Sequence, residues 1–217
     1  MKNVIFDLDG VLVDMVEAHY ECFREAVYQL TNYMVGHQYH AKYLNGLPTK
    51  KKIEFLIEYG KFKNADRLRI CALKQALTID YINENLKFDR EKYTTIRALK
   101  ENGFQIGCVT NSIRLTTDLM LKNIGIINLF DAIVTNEDIK DPKPSPDGYE
   151  KCIKILNASP DNTIIVEDSP VGVQAAKATK CKVLVVKNPK RVTYKNILKG
   201  YYASSESEAC TPECQNA

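Results

Sequence analysis

The sequence contains no apolar stretch near the roughly 18 residues that a helix needs to cross a bilayer. It also lacks a basic segment followed by an apolar one ahead of the first predicted strand, because Met1 stands only two residues before that strand. We therefore expect a protein with neither a membrane segment nor a secretory leader.

A strong imbalance of charge is absent as well. The formal net charge is +3 over 217 residues, and the only tight basic run is Lys50-Lys51-Lys52. No aromatic platform or known nucleic-acid motif accompanies that run. We interpret it as the solvated start of a helix and expect no nucleic-acid partner.

The cysteines form no recognisable disulfide or metal pattern. Seven is an odd number, the spacing is irregular, and five of them fall in apolar segments: Cys22, Cys71, Cys108, Cys152 and Cys181. This usage favours reduced thiols that fill the core of a cytoplasmic protein. Cys210 and Cys214 lie in a Ser- and Glu-rich stretch that lacks further metal ligands, and we predict a disordered tail over 201–217.

The segment Val4-Ile5-Phe6 leads directly into Asp7-Leu8-Asp9-Gly10. Such an apolar triplet is typical of a strand buried on both faces of a parallel sheet. Residues i and i+2 of an extended chain share a side, so Asp7 and Asp9 should point into one small volume at the end of the strand. The alternative is a solvated turn, because Asp-Gly pairs are common in loops.

Four more short apolar runs alternate with amphipathic helical stretches, and each run is followed by a loop. They are Ile106–Val109, Ala132–Val134, Ile164–Val166 and Val183–Val186. This rhythm predicts an α/β fold with a doubly wound, Rossmann-like parallel sheet. Ser145-Pro146 and Ser169-Pro170 each offer a capping hydroxyl and a proline at the first position of a helix.

The segment from about 15 to 88 interrupts the rhythm. It predicts helices near 14–32, 50–60 and 65–86, with no convincing strand. It is too long for a simple crossover between strands. We predict a core domain over 1–14 and 89–200, with an inserted all-helical cap domain over 15–88 above the carboxyl edge of the sheet.

The ends of the predicted strands carry groups suited to phosphoryl transfer. Asp7 is a candidate nucleophile that would form an acyl phosphate, and Asp9 a candidate acid and base for the leaving group and the attacking water. Thr110, Asn111 and Lys143 are candidates to bind the phosphoryl oxygens. Glu167 and Asp168 offer hard oxygen ligands for a metal ion. Taken singly, each also fits an ordinary loop or helix start.

The charges of this set predict a metal ion. Four carboxylates face one ammonium, that of Lys143, before a phosphate of about −2 arrives. A divalent cation between Asp7, Asp168 and the phosphate would relieve most of that repulsion. We therefore expect Mg²⁺ as the cofactor and a small phosphorylated metabolite as the substrate.

Four segments together resemble the haloacid dehalogenase superfamily of phosphohydrolases. They are Phe6–Asp14, Val109–Ser112, Lys143–Asp147 and Val166–Gly172, in the family's order. The resemblance implies a Rossmann-like core, a helical cap and an aspartyl-phosphate intermediate. It further implies Mg²⁺ held by Asp7, Asp168 and the main-chain carbonyl of Asp9, with Thr110 and Lys143 on the phosphoryl oxygens.

Within that superfamily the acid at Asp9 argues against the dehalogenase branch. Asp14 and His19 resemble the start of the cap both in phosphoglycolate-type phosphatases and in β-phosphoglucomutase, which makes His19 a candidate substrate ligand. By position alone His19 is equally a packing residue of a helix. At Thr49 the mutase pattern has an arginine that grips a second phosphate, and Lys50 is a poor replacement. These differences favour a phosphatase acting on a small organic, and in the first place a sugar, phosphate.

Two alternatives stay open. The chain could be a sugar phosphomutase of the β-phosphoglucomutase type, or a catalytically silent module that binds a partner. The complete set of acids with Thr110 and Lys143 speaks against a silent module, because an unused site has no reason to retain such charge repulsion. We expect a monomer or a weak dimer. His37 and His40 face either solvent or substrate, and Tyr39 and Tyr43 either pack within the cap or contact substrate.

Overall fold

A central strand, Lys2–Phe6, organises the protein in the computed structural model, which describes residues 1–63 and 66–203. The strands are β1 (Lys2–Phe6), β2 (Phe104–Val109), β3 (Ala132–Val134), β4 (Thr163–Glu167) and β5 (Lys182–Val185). They form one parallel sheet in the order β3-β2-β1-β4-β5. The chain reverses direction across the sheet between β3 and β4, which places a crevice at the carboxyl ends of the strands.

Helices cover both faces of this sheet. The core helices are α5 (Arg90–Glu101), α6 (Arg114–Asn123), α7 (Asp147–Ile155), α8 (Pro170–Ala178) and α9 (Tyr194–Tyr202). Val4 and Phe6 pack with residues of α5, α6 and α9, whereas Ile5 packs with residues of α7 and α8. Successive side chains of a strand point to opposite faces, so a continuous apolar run is buried on both. The predicted α/β class is confirmed.

The described residues of the inserted segment form four α-helices: α1 (Val16–Thr31), α2 (His37–Tyr43), α3 (Thr49–Glu58) and α4 (Arg67–Asn85). They enclose an apolar cluster of their own, which includes Phe23, Leu44, Ile53 and Ile70. No strand lies between 15 and 88 within the described part of the chain. The helical insertion is thus present, while the predicted domain limits stay a prediction. Helix α2 was not predicted, because its seven residues are polar or aromatic apart from Ala41 and form no apolar stripe.

Other local predictions have mixed outcomes. Ser169 caps α8, since its Oγ accepts a hydrogen bond from the Gly172 N–H at 3.1 Å. The same prediction for Ser145 is wrong: α7 begins at Asp147, and Pro146 precedes it without a side-chain cap. Helix α9, also not predicted, runs through Tyr202, so the predicted tail cannot begin at 201. Residues 204–217, with Cys210 and Cys214, lie outside the described residues.

Five cysteines were predicted to be buried in the core, and four of them are. Cys22, Cys108, Cys152 and Cys181 are buried and free, and Cys71 is partly exposed. Among the described helices, none is both long enough and apolar enough to cross a membrane.

Candidate active site

Asp7 lies immediately after β1, at the centre of the carboxyl edge of the sheet. Its N–H donates to Val166 O at 3.0 Å, which continues the β1–β4 pairing by one residue. A tight turn follows, in which Gly10 has a φ of +83° and a Cβ built on it would lie 2.1 Å from Asp168 Oδ2. Only glycine tolerates both that backbone conformation and that proximity. The turn thereby lets Asp168 approach the β1 loop closely.

The Lys143 ammonium is buried between two carboxylates. Its Nζ donates to Asp7 Oδ1 at 2.5 Å, to Glu167 Oε1 at 2.7 Å and to Val109 O at 3.0 Å. Burial alone lowers the pKa of Lys143, but Asp7 and Glu167 outweigh it and raise that pKa above the usual value. Lys143 is therefore a fixed cation directly beside the candidate nucleophile.

Asp7 and Glu167 respond differently to this cation. Burial raises the pKa of Asp7 well above its usual range, and Lys143 opposes the shift only in part. For Glu167, burial raises the pKa, but Lys143 and further hydrogen bonds lower it more, so the net shift is downward. The buried carboxylate of Glu167 is therefore a counter-ion of Lys143.

Both oxygens of Glu167 are engaged. Oε1 also accepts from the Tyr149 hydroxyl at 2.7 Å. Oε2 accepts from the N–H groups of Asp168 and Ser169 at 3.0 and 3.2 Å, and from Ser169 Oγ at 3.2 Å. A Cβ at Gly172 would lie 1.8 Å from Oε1, so the start of α8 packs directly on this carboxylate. Sequence reasoning missed Tyr149, since nothing in its local pattern separates it from a packing residue.

A metal ion has suitable ligands next to Asp7. One carboxylate oxygen each of Asp7, Glu167 and Asp168 lie within 4.8 Å of one another. Asp168 Oδ1 is buried and has no hydrogen-bond partner in the described part of the chain. Burial, followed by the Glu167 charge, raises the pKa of Asp168 to about 6. An unpartnered buried carboxylate oxygen among like charges fits a hard divalent cation.

The loop after β2 brings its three polar residues to the same edge. The Thr110 N–H donates to Val134 O at 3.0 Å, and Thr110 Oγ1 accepts from the Ser112 N–H at 3.0 Å, which leaves the hydroxyl hydrogen to donate. Ser112 Oγ donates to Asp9 Oδ2 at 3.1 Å. The amide of Asn111 bonds to Gly46 and Lys143. Ser112 was not among the predicted site residues, although it lies in the quoted motif.

The cap reaches Asp9 through His19 on α1. His19 Nε2 lies 3.2 Å from Asp9 Oδ1, close enough for an ion pair, although the two are not aligned as a hydrogen bond. His19 Nδ1 lies 3.2 Å from Lys74 Nζ. Burial and then Lys74 lower the pKa of His19, so its neutral form is favoured. Burial raises the pKa of Asp9, but His19 and Ser112 lower it by a larger amount, so the net shift is downward. Asp9 is therefore ionised in this arrangement.

A second lysine of the cap is more deeply buried. Lys52 Nζ lies 2.9 Å from His40 Nε2. Burial, with the charge of Lys74 second, lowers the pKa of Lys52 to about 7, and burial and Lys52 lower that of His40 to about 3. His40 is buried in the cap, whereas His37 is exposed and lies 3.1 Å from a carboxylate oxygen of Glu17.

A cavity of about 720 Å³ lies between cap and core. Its core wall includes Asp7, Asp9, Thr110, Lys143 and Asp168, and its cap wall includes His19, Thr49, Lys50, Lys52 and Lys74. Tyr39 and Tyr43 do not line it; they pack against Phe55 on the other side of the cap. Glu167 lies beneath the cavity, behind Lys143.

Comparison with known proteins agrees with this geometry. The family model for haloacid dehalogenase-like hydrolases matches residues 4–186. The chain belongs to this family. The predicted family and its assignment as a hydrolase are confirmed.

Sequence relatives within the haloacid dehalogenase-like hydrolases include the pyrophosphatase PpaX of Bacillus thuringiensis. It is 26% identical over 174 residues, which cover 78% of this chain and 75% of PpaX. The crystal structure of β-phosphoglucomutase from Clostridium difficile superposes with a TM-score of 0.79 at 23% identity, over 93% of this chain and 97% of the mutase. CbbY from Rhodobacter sphaeroides, in complex with xylulose-1,5-bisphosphate, gives a TM-score of 0.78 at 21% identity, over 85% of each chain. At these identities the two structures establish the shared fold.

Proposed function

We propose that this hydrolase is a Mg²⁺-dependent phosphatase that cleaves a small organic phosphate monoester through an aspartyl-phosphate intermediate. The observation that carries the proposal is the position of Lys143 Nζ, 2.5 Å from Asp7 and 2.7 Å from Glu167, at the base of the cavity. A cation fixed beside a carboxylate nucleophile suits a phosphoryl group, whose negative charge must be neutralised as Asp7 approaches. Sugar phosphates are the first substrates to test.

In this proposal Asp7, Asp168 and the main-chain carbonyl of Asp9 hold Mg²⁺. The bound cation would neutralise the phosphoryl oxygens and the cluster of carboxylates around them. The unpartnered Asp168 Oδ1 supports this assignment. Glu167 was predicted as a further metal ligand; because both of its oxygens already accept hydrogen bonds, we propose that it positions Lys143 instead.

The side chains supply two successive displacements. Asp7 attacks phosphorus as the bond from phosphorus to the leaving oxygen breaks, and Asp9 gives that oxygen its proton. Water then attacks the phosphoryl group and loses a proton to Asp9, and the Asp7–phosphorus bond breaks to release phosphate. Thr110 and Lys143 hold the phosphoryl oxygens throughout. His19 and Ser112 keep the pKa of Asp9 low, and the negative charge of an arriving phosphate raises that pKa, which favours the protonated form that the first displacement needs.

A second candidate is a phosphomutase. Lys52 and Lys74 bring positive charge to the cap wall, and their nearest polar partners are imidazoles rather than carboxylates. Gln75 Nε2 in the same wall is buried and has no hydrogen-bond partner within the described residues. This wall favours substrates with a second anionic group, as in the pyrophosphatase activity named for PpaX or in a sugar bisphosphate intermediate.

Hydrolysis of p-nitrophenyl phosphate with and without Mg²⁺ tests the proposal. We expect EDTA to stop turnover, Mg²⁺ to restore it, and Asp7→Asn to abolish it while the protein stays folded. Asp161→Asn, at an exposed position outside the cavity, serves as the matched control and should retain full activity. Turnover that persists without metal, or in Asp7→Asn, contradicts the mechanism, and a folded but inactive wild type supports the silent module.

Product analysis separates the two enzyme candidates. With β-glucose 1-phosphate as substrate, a phosphatase releases inorganic phosphate, whereas a mutase forms glucose 6-phosphate. We further propose a cytoplasmic location, supported by the buried free thiols, and size-exclusion chromatography tests the predicted monomer or weak dimer.

A further inference from the structure

Asn111 connects three loops at the edge of the cavity. Its Nδ2 donates to Gly46 O in the cap at 3.0 Å, and its Oδ1 accepts from the Lys143 N–H at 3.1 Å. Its main-chain oxygen accepts from Asn136 Nδ2 at 2.8 Å. The two side-chain bonds, here called the Asn111 bridge, use both ends of one amide. That amide is therefore committed to protein groups in this arrangement, although the sequence suggested it as a phosphoryl ligand.

The cap end of the bridge lies in close contact with the core. Gly46 has a φ of +76°, and a Cβ there would lie 2.9 Å from Val171 Cγ2 in α8. The cap loop thus needs glycine both for its turn and for its contact with the core. Its carbonyl oxygen meets the Asn111 donor at this point, so the bond forms only when the loop is docked on the core.

The core end of the bridge fixes the main chain of Lys143. The same residue is held at the far end of its side chain by Asp7, Glu167 and Val109 O. A lysine side chain has four rotatable bonds, and its ammonium is positioned accurately only when its backbone is also fixed. Asn111 supplies that backbone contact through Oδ1.

We propose that Asn111 is a positioning residue that links docking of the cap loop to the placement of Lys143. When the loop is docked, the bond to Gly46 O orients the Asn111 amide so that Oδ1 meets the Lys143 N–H. When the loop leaves, the amide loses that restraint and Lys143 is held less firmly. The effect on catalysis rests on the function proposed for Lys143, whereas the two contacts themselves do not.

Asn111→Asp separates the two ends of the bridge. The aspartate retains an oxygen that accepts from the Lys143 N–H, but it places a second oxygen opposite Gly46 O, where a donor is required. Asn111→Ala removes both contacts. Asn45→Asp is the matched control: it adds the same charge to the same cavity and retains the oxygen that accepts from the Gly46 N–H at 3.1 Å.

Hydrogen exchange, resolved at single amides and measured without substrate, tests the contacts. The Leu47 amide, bonded to Leu44 O within the cap loop, reports docking, and the Lys143 amide reports the core end. We expect Leu47 to exchange about two- to tenfold faster in both Asn111 variants, the range of one net hydrogen bond. The Lys143 amide should exchange faster by a similar factor in Asn111→Ala. In Asn111→Asp the increase at this amide should be smaller. Asn45→Asp should match the wild type.

Steady-state kinetics then tests the link to catalysis. We expect kcat to fall about threefold or more in Asn111→Asp and further in Asn111→Ala, each measured against Asn45→Asp, which carries the same added charge as Asn111→Asp. Unchanged exchange at Leu47 in Asn111→Asp overturns the cap contact, and an equal kcat in both Asn111 variants overturns the link to Lys143. An inactive wild type contradicts the proposed function alone, because the exchange result still decides whether the bridge exists.

Discussion

Replacement of Glu167 by Gln tests whether this buried carboxylate positions Lys143 or binds metal. Glu167 accepts from Lys143 and Tyr149 on one oxygen and from the loop that begins α8 on the other. An amide has only one oxygen. Whichever way the new amide is oriented in the site, its NH₂ group must face donors, so the substitution E167Q leaves buried groups without partners.

The expected loss of stability follows from these contacts. Breaking a buried ion pair costs about 3–5 kcal/mol. Lys143 retains Asp7 as a partner at 2.5 Å, so we expect the lower end, about 3 kcal/mol. For a chain of this size that corresponds to a fall in Tm of roughly 6–12 °C. Thermal and urea unfolding in EDTA measure this loss of stability without any contribution from bound metal.

Two further variants calibrate that result. Glu84→Gln alters an exposed acid of α4 that makes no side-chain hydrogen bond or ion pair with the described residues, and its unfolding free energy should stay within about 0.5 kcal/mol of the wild type. Tyr149→Phe removes one hydrogen bond to the charged Glu167 and should cost about 1.5–3 kcal/mol. If metal-free E167Q melts like the wild type while its Mg²⁺ affinity falls more than tenfold, Glu167 is a metal ligand and the positioning role is wrong.

Two other predictions concern the metal ligands. Gly10→Ala should lower Mg²⁺ affinity at least tenfold, because the new Cβ would displace Asp168. Gly103→Ala is the control and should leave the affinity unchanged, since Gly103 has a similar φ of +79° but no neighbour within 4 Å. Calorimetric titration measures both affinities, and equal values refute the steric argument. Since the pKa of Asp168 is raised to about 6 in the metal-free protein, a proton competes with Mg²⁺ below that pH. Burial also raises the pKa of Asp7, the second carboxylate ligand, so a proton competes with the metal there too. Affinity should therefore fall as the pH falls from 7 to 5, by up to about tenfold per pH unit for each ligand that takes up a proton; a flat profile over that range contradicts the assignment.

Much of the core was predictable because its signals are local. The apolar runs at Val4–Phe6 and Ile164–Val166 are buried strands, and the polar groups that follow them share one sheet edge as a consequence of parallel order. Ser169 caps its helix through a contact with Gly172, three residues away. The same reasoning failed for Ser145, because α7 begins one residue later than predicted, at Asp147, and the Ser145 hydroxyl donates to the Asp147 side chain at 2.6 Å.

The cap was less predictable. Its helices α1, α3 and α4 follow from periodicity, but the pairing of Lys52 with His40 depends on how α2 and α3 pack. The sequence presents Lys52 as part of a solvated basic run, and the structure buries it in the wall of the cavity. Periodicity shows that a helix has a buried face, but does not show which polar residues on that face find a partner.

The sequence by itself determined the family, the sheet and the set of acidic and basic groups at its edge, since strands and the loops directly after them are encoded by neighbouring residues. Only the tertiary structure decided what these groups do to one another. Glu167 supports Lys143 across 24 residues of chain, and Asn111 reaches Gly46 across 65. Such contacts depend on the positions of side chains brought together by packing, and no local pattern of residues specifies them.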